Sequence, residues 1–277
     1  MNSKVSKTTT QPMTTGGGAK VVDVRLVDRS GRYRIGEAVR PNIQHDNGFL
    51  GQFAPEKPTA TDYLQLAVWR AKLEAAEAIR PDLADATAAY RHFLDGKGAD
   101  RQINYERYVS SDPSGIKTLQ SILDDLKYHV TVIGEDREDF DVTSDPYALG
   151  NDPAFFPYPA SENWQKAIGA HVAWVSAKVG VHTDKVDLQD IFRAEVVVHV
   201  EDRYNFNPGA NDIATGIPDA ANGRFELTGL AHQYVNYATL RRTLQWKEGD
   251  GTNASTSGAP DDRQRRPSDN RRLRNRV

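Results

Sequence analysis

Apolar and polar positions follow two different rhythms along this chain. Toward the N-terminal side they recur at spacings of three and four, and toward the C-terminal side they alternate. In residues 63–79 (YLQLAVWRAKLEAAEAI) the positions Tyr63, Leu66, Ala67, Arg70, Leu73 and Glu77 mark helical spacing. Thr61 reads as the N-cap, with Asp62 at the positive end of the helix dipole. The apolar stripe is broad, so this helix is expected to pack inward, and Pro81 ends it. Asp82 then reads as the cap of a second helix over 83–94 (LADATAAYRHFL), stopped at Asp95-Gly96. The two form an αα-hairpin. A third helix is expected over residues 115–128, opened by Ser111-Asp112-Pro113-Ser114.

Strand signals frame this helical block. Residues 21–27 (VVDVRLV) read as a strand, with 32–35 pairing back across the turn at 28–31. After Val130, the runs VTVIG and FDVT read as short strands on either side of an acidic turn at 135–138. Residues 145–160 (DPYALGNDPAFFPYPA) read as an ordered loop with packed rings. Residues 161–164 open a short helix or turn. Residues 171–181 (HVAWVSAKVGV) and 191–200 (IFRAEVVVHV) are then two long strands. In the second, Phe192, Ala194, Val196, Val198 and Val200 share one face and Arg193, Glu195 and His199 the other. One face of the sheet is core, and the other is wet or functional. A helix over 225–235 (FELTGLAHQYV) and a last strand over 237–246 (YATLRRTLQW) close the pattern, with Ala238, Leu240, Leu244 and Trp246 inward.

The fold class is therefore α+β, a helical hairpin region followed by an antiparallel sheet. The expected organisation is a structureless 1–19, a mostly helical 20–150, a β-rich 151–247 containing a helix, and a structureless basic tail at 248–277. The tail's last 17 residues hold seven arginines against three aspartates. Removing that surplus of four from the whole-chain charge of −3 leaves −7 for residues 1–260. No aromatic residue interleaves these arginines, so there is no stacking platform for bases, and nucleic acid is not an expected partner.

Composition narrows the chemistry. The 277 residues contain no cysteine, which excludes disulfides, thiolate zinc sites, iron–sulfur clusters and a cysteine nucleophile. A mean hydropathy of −0.63 and the lack of a long apolar run speak against a membrane span. Residues 1–20 carry no Sec-type signal. The chain is expected to stay in the producer's cytoplasm or to leave by a signal-independent machine. The seven histidines stand singly, without HExxH or HxxxH, so no metal ligands are assigned, and no cofactor is assigned either. In residues 95–98 (DGKG) the glycines follow a helix end, whereas a phosphate loop precedes its helix.

The densest chemistry lies in residues 201–212 (EDRYNFNPGAND), where a buried strand runs out into a loop. Alternation sends Asp202, Tyr204 and Phe206 one way and Arg203, Asn205 and Asn207 the other. A carboxylate beside a phenol can do acid–base work, and a cation with two amides can hold a substrate. Asp202, Tyr204, Asp212 and His232 are the candidate catalytic groups, and Arg203, Asn205 and Asn207 the candidate binding groups. The same residue types also cap freed backbone at any strand exit.

Three stretches, 88–100 (AAYRHFLDGKGAD), 158–171 (YPASENWQKAIGAH) and 201–234 (EDRYNFN through GLAHQY), resemble toxin modules at the C-termini of secreted bacterial polymorphic toxins and injected effectors. A looser likeness is to the colicin M class of lipid II phosphodiesterases, where Asp202 and Tyr204 match. Asn205 stands where that class has a second Asp, and His232 is followed by Gln233 rather than Arg, so no catalytic role is carried over. The resemblance implies a secreted effector acting on a competitor's envelope, with an immunity, chaperone or secretion-apparatus protein as partner. The other reading kept open is a non-enzymatic cargo, accessory or structural binding protein of a secretion or phage-like apparatus.

Overall fold

A computed structural model describes residues 32–134, 139–212, 216–249 and 256–257. Its elements in chain order are β1 (Tyr33–Ile35), α1 (Gly48–Gln52), α2 (Ala60–Ile79), α3 (Ala84–Asp95), β2 (Arg101–Gln102), α4 (Tyr105–Ser111), α5 (Pro113–Gly134), β3 (Asp139–Ser144), β4 (Tyr147–Leu149), α6 (Glu162–Ala167), β5 (His171–Thr183), β6 (Asp190–Tyr204), α7 (Ala220–Thr228), β7 (Tyr234–Lys247) and β8 (Thr256–Ser257). The strand expected at 21–27, the turns at 28–31 and 135–138, residues 1–19 and most of 248–277 lie outside the described residues. Within that last segment, Thr256 and Ser257 form β8 beside β7.

The α+β class holds. The described strands make one sheet in the order β1-β3-β5-β6-β7-β2, with β4 also on β5 and β8 on β7. All of these pairings are antiparallel except that of β2 with β7. Strands from both sides of the 145–160 segment join this sheet. The long β5–β6–β7 ladder keeps strict alternation: Val175, Ala177, Val196, Val198, Leu240 and Leu244 are buried on the face that α4 and α5 cover. On the other face Ile43 packs on Val172 and Trp174, covering one end, and among the described residues the rest borders an open cavity.

Several boundaries differ from the sequence reading. The cap of α2 is Thr59 rather than Thr61: its hydroxyl accepts from the Asp62 N–H while the Asp62 carboxylate accepts from the Thr59 N–H at 2.7 Å, a reciprocal capping box. Nor does α2 bury a broad stripe. Leu66 and Leu73 are its only buried apolar residues, and Tyr63, Leu64, Val68 and Ile79 are exposed. Asp82 does not cap α3. It pairs with Arg80, while a 3-10 turn at Pro81–Leu83 leads into α3. The cap comes from far away: Asn163 Oδ1 accepts from the N–H groups of Asp85 and Ala86 at 2.9 and 3.0 Å. VTVIG is not a strand but the last turns of α5. Val130 continues the stripe of Ile122 and Leu126 against the sheet, so packing decides over β-propensity. The short elements α1, α4, β2 and β4 carry too few periods to be read from sequence.

Two buried groups tie these layers together. Asp112, between α4 and α5, accepts from the N–H groups of Ser114, Ala160 and Ser161 and from the Ser161 hydroxyl. His171 at the start of β5 is buried, with Nε2 2.6 Å from the Tyr105 hydroxyl and Nδ1 2.9 Å from the Gly169 carbonyl. Those partners suit a neutral ring, donating through Nδ1 and accepting at Nε2. Burial pushes its pKa down to about 4, opposed by the Gly169 carbonyl. The stability this confers is complete above the ordinary histidine value of 6.5 and is lost as pH falls through about 4. It amounts to about 3 kcal/mol in all. Urea unfolding between pH 7 and pH 4 should therefore show a steeper loss for the wild type than for His171→Gln. Parallel pH profiles would contradict this.

Candidate functional site

β6 runs through the motif as far as Tyr204, so alternation sets where its side chains go. Asp202 and Tyr204 continue the core face, and Arg203 the opposite one. Asp202 is fully buried (0% exposed) and accepts from the amide of its cross-strand partner Asn236 at 3.0 Å. Asn236 also donates to the Ala167 carbonyl and accepts from Arg101. Tyr204 stacks on its own cross-strand partner Tyr234, with centroids 5.1 Å apart and planes at 15°, and meets Phe206 edge-on. Burial raises both phenols far above their ordinary pKa. These rings join Phe93 and Phe225 in a second apolar cluster, between the end of the β6–β7 ladder and helices α2, α3 and α7.

The other face of the motif holds the 46–47 segment. Arg203 donates to the Asn47 side chain at 3.3 Å, and the buried Asn205 amide donates to the Asp46 carbonyl at 2.8 Å. The Asn207 N–H donates to Asp219 at 3.1 Å. Asp212 is ion-paired with Lys166 of α6. His232 does not belong to a helix: Gly229, with φ of 66°, ends α7 in the left-handed region, and the chain turns toward β7. There His232 is exposed, its N–H donating to the Phe93 carbonyl and its side chain lying near Gly98.

Of the sequence candidates, the structure brings together Tyr204 and Asp212. They line a cavity of about 460 Å³ with Phe206, Asp219 and Asn222. Asp202 lies behind Tyr204 within the ladder, Arg203 and Asn205 sit on the other side of the sheet, and His232 faces elsewhere. Neither Asn207 nor His232 lines this cavity.

The cavity is a groove with an apolar body and a polar end. One side of α2 (Trp69, Leu73, Ala76, Ile79) faces Leu83 and Ala86 at the start of α3, with Phe206 and Ile217 as the third wall. Lys72 lies 4.3 Å over the Trp69 ring. At the polar end, Tyr90 donates to the Asn222 side-chain oxygen at 2.7 Å, and Lys166 bridges Asp212 and, at 3.6 Å, Glu162. Arg80 is held by Asp82 and Glu162. Asp219 is 3% exposed and has no basic residue within ion-pair distance among the described residues. Burial pushes its pKa up to about 6, offset by the Asn207 N–H and raised further by Asp212. Beneath it Glu226 accepts from the Phe206 N–H and from Gln233, and burial pushes it up to about 8.

The sequence reading missed Asp219, Lys166 and Trp69. Asp219 stands before a helix like an ordinary cap, although its side chain makes no cap bond. Trp69 lies within the helix read over 63–79 but outside the positions that mark its stripe, so no signal singles it out. Among the described residues, no group of three or more His, Asp or Glu side chains could hold a metal, and no helix is long and apolar enough to cross a membrane. No family model, no curated protein and no solved structure matches this chain.

Proposed function

We propose that this chain is a protein-binding module whose groove receives an amphipathic segment of a partner, apolar along its length and carrying a lysine or arginine at its end. The observation that carries this reading is an open apolar groove ending at Asp219, a buried carboxylate that no cation among the described residues neutralises. Three carboxylates, Glu162, Asp212 and Asp219, meet there, and Lys166 is already shared between the first two. An incoming ammonium or guanidinium would regain for Asp219 the partner that burial denies it. The volume falls within the usual range for ligand sites. The resemblance to effector modules supports a secreted bacterial setting and a chaperone, immunity or secretion-apparatus protein as the partner. The separation of Asp202 and His232 from the groove favours binding over catalysis there.

Octylammonium is a minimal probe for such a segment. At roughly 0.3–1.5 kcal/mol per heavy atom it should bind in about the millimolar range, and octanoate should not bind measurably. Asp219 is faced by Asp212, by Lys166 and Glu162 of α6, and by Glu226 and Tyr204 beneath. Ionisation of Asp219 creates the site, so octylammonium affinity should fall as pH drops through about 6. Calorimetric titration at pH 7.5 and pH 5 tests both points. Equal affinity for octanoate, or none for either probe, would overturn the proposal.

A further inference from the structure

The open face of the sheet carries a different kind of chemistry. Ser176 of β5 and His199 of β6 share that face, with the serine hydroxyl 3.0 Å from His199 Nε2. The His199 ring lies flat on Trp174, its cross-strand partner, with centroids 3.7 Å apart and planes at 6°. That stack fixes the plane of the imidazole and aims Nε2 at the serine. Burial and the neighbouring Arg241 lower the His199 pKa to about 4, opposed by Glu201, so the ring is neutral at pH 7. With the ring proton on Nδ1, Nε2 accepts from the serine hydroxyl, which is the arrangement a general base needs. Glu201, two residues further along, is committed to Arg40 through two bonds of 2.6 Å and to His45 at 3.2 Å. The imidazole is therefore oriented by an aromatic stack where a triad would use a carboxylate as its third member.

Ser176 also lines an open cavity of about 700 Å³ on this face, together with Lys178 and Arg241 and with Glu37, Asp141 and Glu195. Arg241 stands in the same cross-strand row as Ser176, two strands away through Val197. Lys178 is two residues along β5 from Ser176, on the same face. Lys178 stands between two carboxylates, its cross-strand partners Asp141 and Glu195, which offset its charge. Arg241, opposite Val197 and without a carboxylate within ion-pair distance among the described residues, is the cation available to an anionic ligand.

We infer that Ser176 is a nucleophile, with His199 as its base, toward carboxylic esters that carry an anionic group on the acyl side. Ser176 Oγ attacks the ester carbonyl carbon and its proton passes to His199 Nε2. The bond from that carbon to the leaving alkoxy oxygen breaks, and the departing oxygen takes the proton from His199. Water, deprotonated by His199, then releases the acyl group and restores the serine. Arg241 holds the anionic end of the acyl chain. This activity lies on the sheet face opposite the groove and does not depend on the binding reading.

Mono-p-nitrophenyl succinate is the probe, with p-nitrophenyl acetate as its neutral counterpart. Expected are a burst of p-nitrophenol, a succinyl adduct on Ser176 in peptide mass spectra, and a preference for the succinate that Arg241→Gln removes. Ser176→Ala should abolish the adduct, and His199→Gln should slow acylation by about 100-fold or more. Far-ultraviolet circular dichroism establishes that each variant is folded. If a variant does not fold, the location of the adduct in the wild type still decides. No adduct on the wild type, an adduct confined to other residues, or an unchanged burst in folded Ser176→Ala would overturn the assignment.

Discussion

Replacing Asp112 with alanine is expected to destabilise the protein by about 3–5 kcal/mol, a large part of the stability of a typical domain. The carboxylate is 2% exposed and sits where α4 ends and α5 begins. Its Oδ1 accepts from the Ser114 N–H at 2.9 Å and the Ala160 N–H at 3.2 Å, and its Oδ2 from the Ser161 N–H at 2.9 Å and the Ser161 hydroxyl at 2.7 Å. It thus caps the 22-residue α5 and pins the segment that leads into α6. Alanine would leave three backbone donors and a hydroxyl without this acceptor, each at the cost of desolvation. Asparagine keeps one acceptor oxygen and should cost about half as much. Urea unfolding followed by circular dichroism gives both numbers, and a loss below about 1 kcal/mol for Asp112→Ala would show that water replaces the carboxylate.

Filling the groove should have the largest effect on binding. In Ala76→Trp an indole would project from the last turn of α2 into the groove lined by Trp69, Leu83 and Phe206, where the apolar part of the ligand is proposed to lie. Ala76 is only half-buried, so the fold should change in stability by no more than about 1 kcal/mol. Octylammonium binding should fall below detection. Leu64→Trp, on the exposed side of the same helix, adds the same ring away from the groove and should bind as the wild type does. Undiminished binding in Ala76→Trp would place the ligand elsewhere.

What is legible in the sequence follows from where physical constraints are local. Strict alternation over Phe192, Ala194, Val196, Val198 and Val200 identifies the central strand, its buried face and even the facing of Asp202 and Tyr204. The Ser111-Asp112-Pro113 opening of α5 is equally plain, because capping is a short-range event. The far end of α5 reads as a strand because Val130 and Ile133 carry a β-propensity that packing against the sheet overrides. The polar density after Val200 suggests a cleft, yet Arg203, Asn205 and Asn207 each tie down a particular backbone segment or neighbouring loop. The groove draws on α2, α3, α6 and the loop after β6, and no spacing along one segment records that meeting. The Ser176–His199 contact is hidden for the same reason. The two residues meet only through cross-strand register, whereas spacing along one strand pairs His199 with Glu195.

The most direct test is to map octylammonium on the isotopically labelled protein by amide and indole NMR shifts at pH 7.5. Saturable changes should centre on the Trp69 indole, Ala76, Lys166, Phe206 and Asn222, and should vanish in Ala76→Trp. Changes centred on the open sheet face around Ser176 and Arg241, or no saturable change anywhere, would contradict a binding groove between α2 and α3.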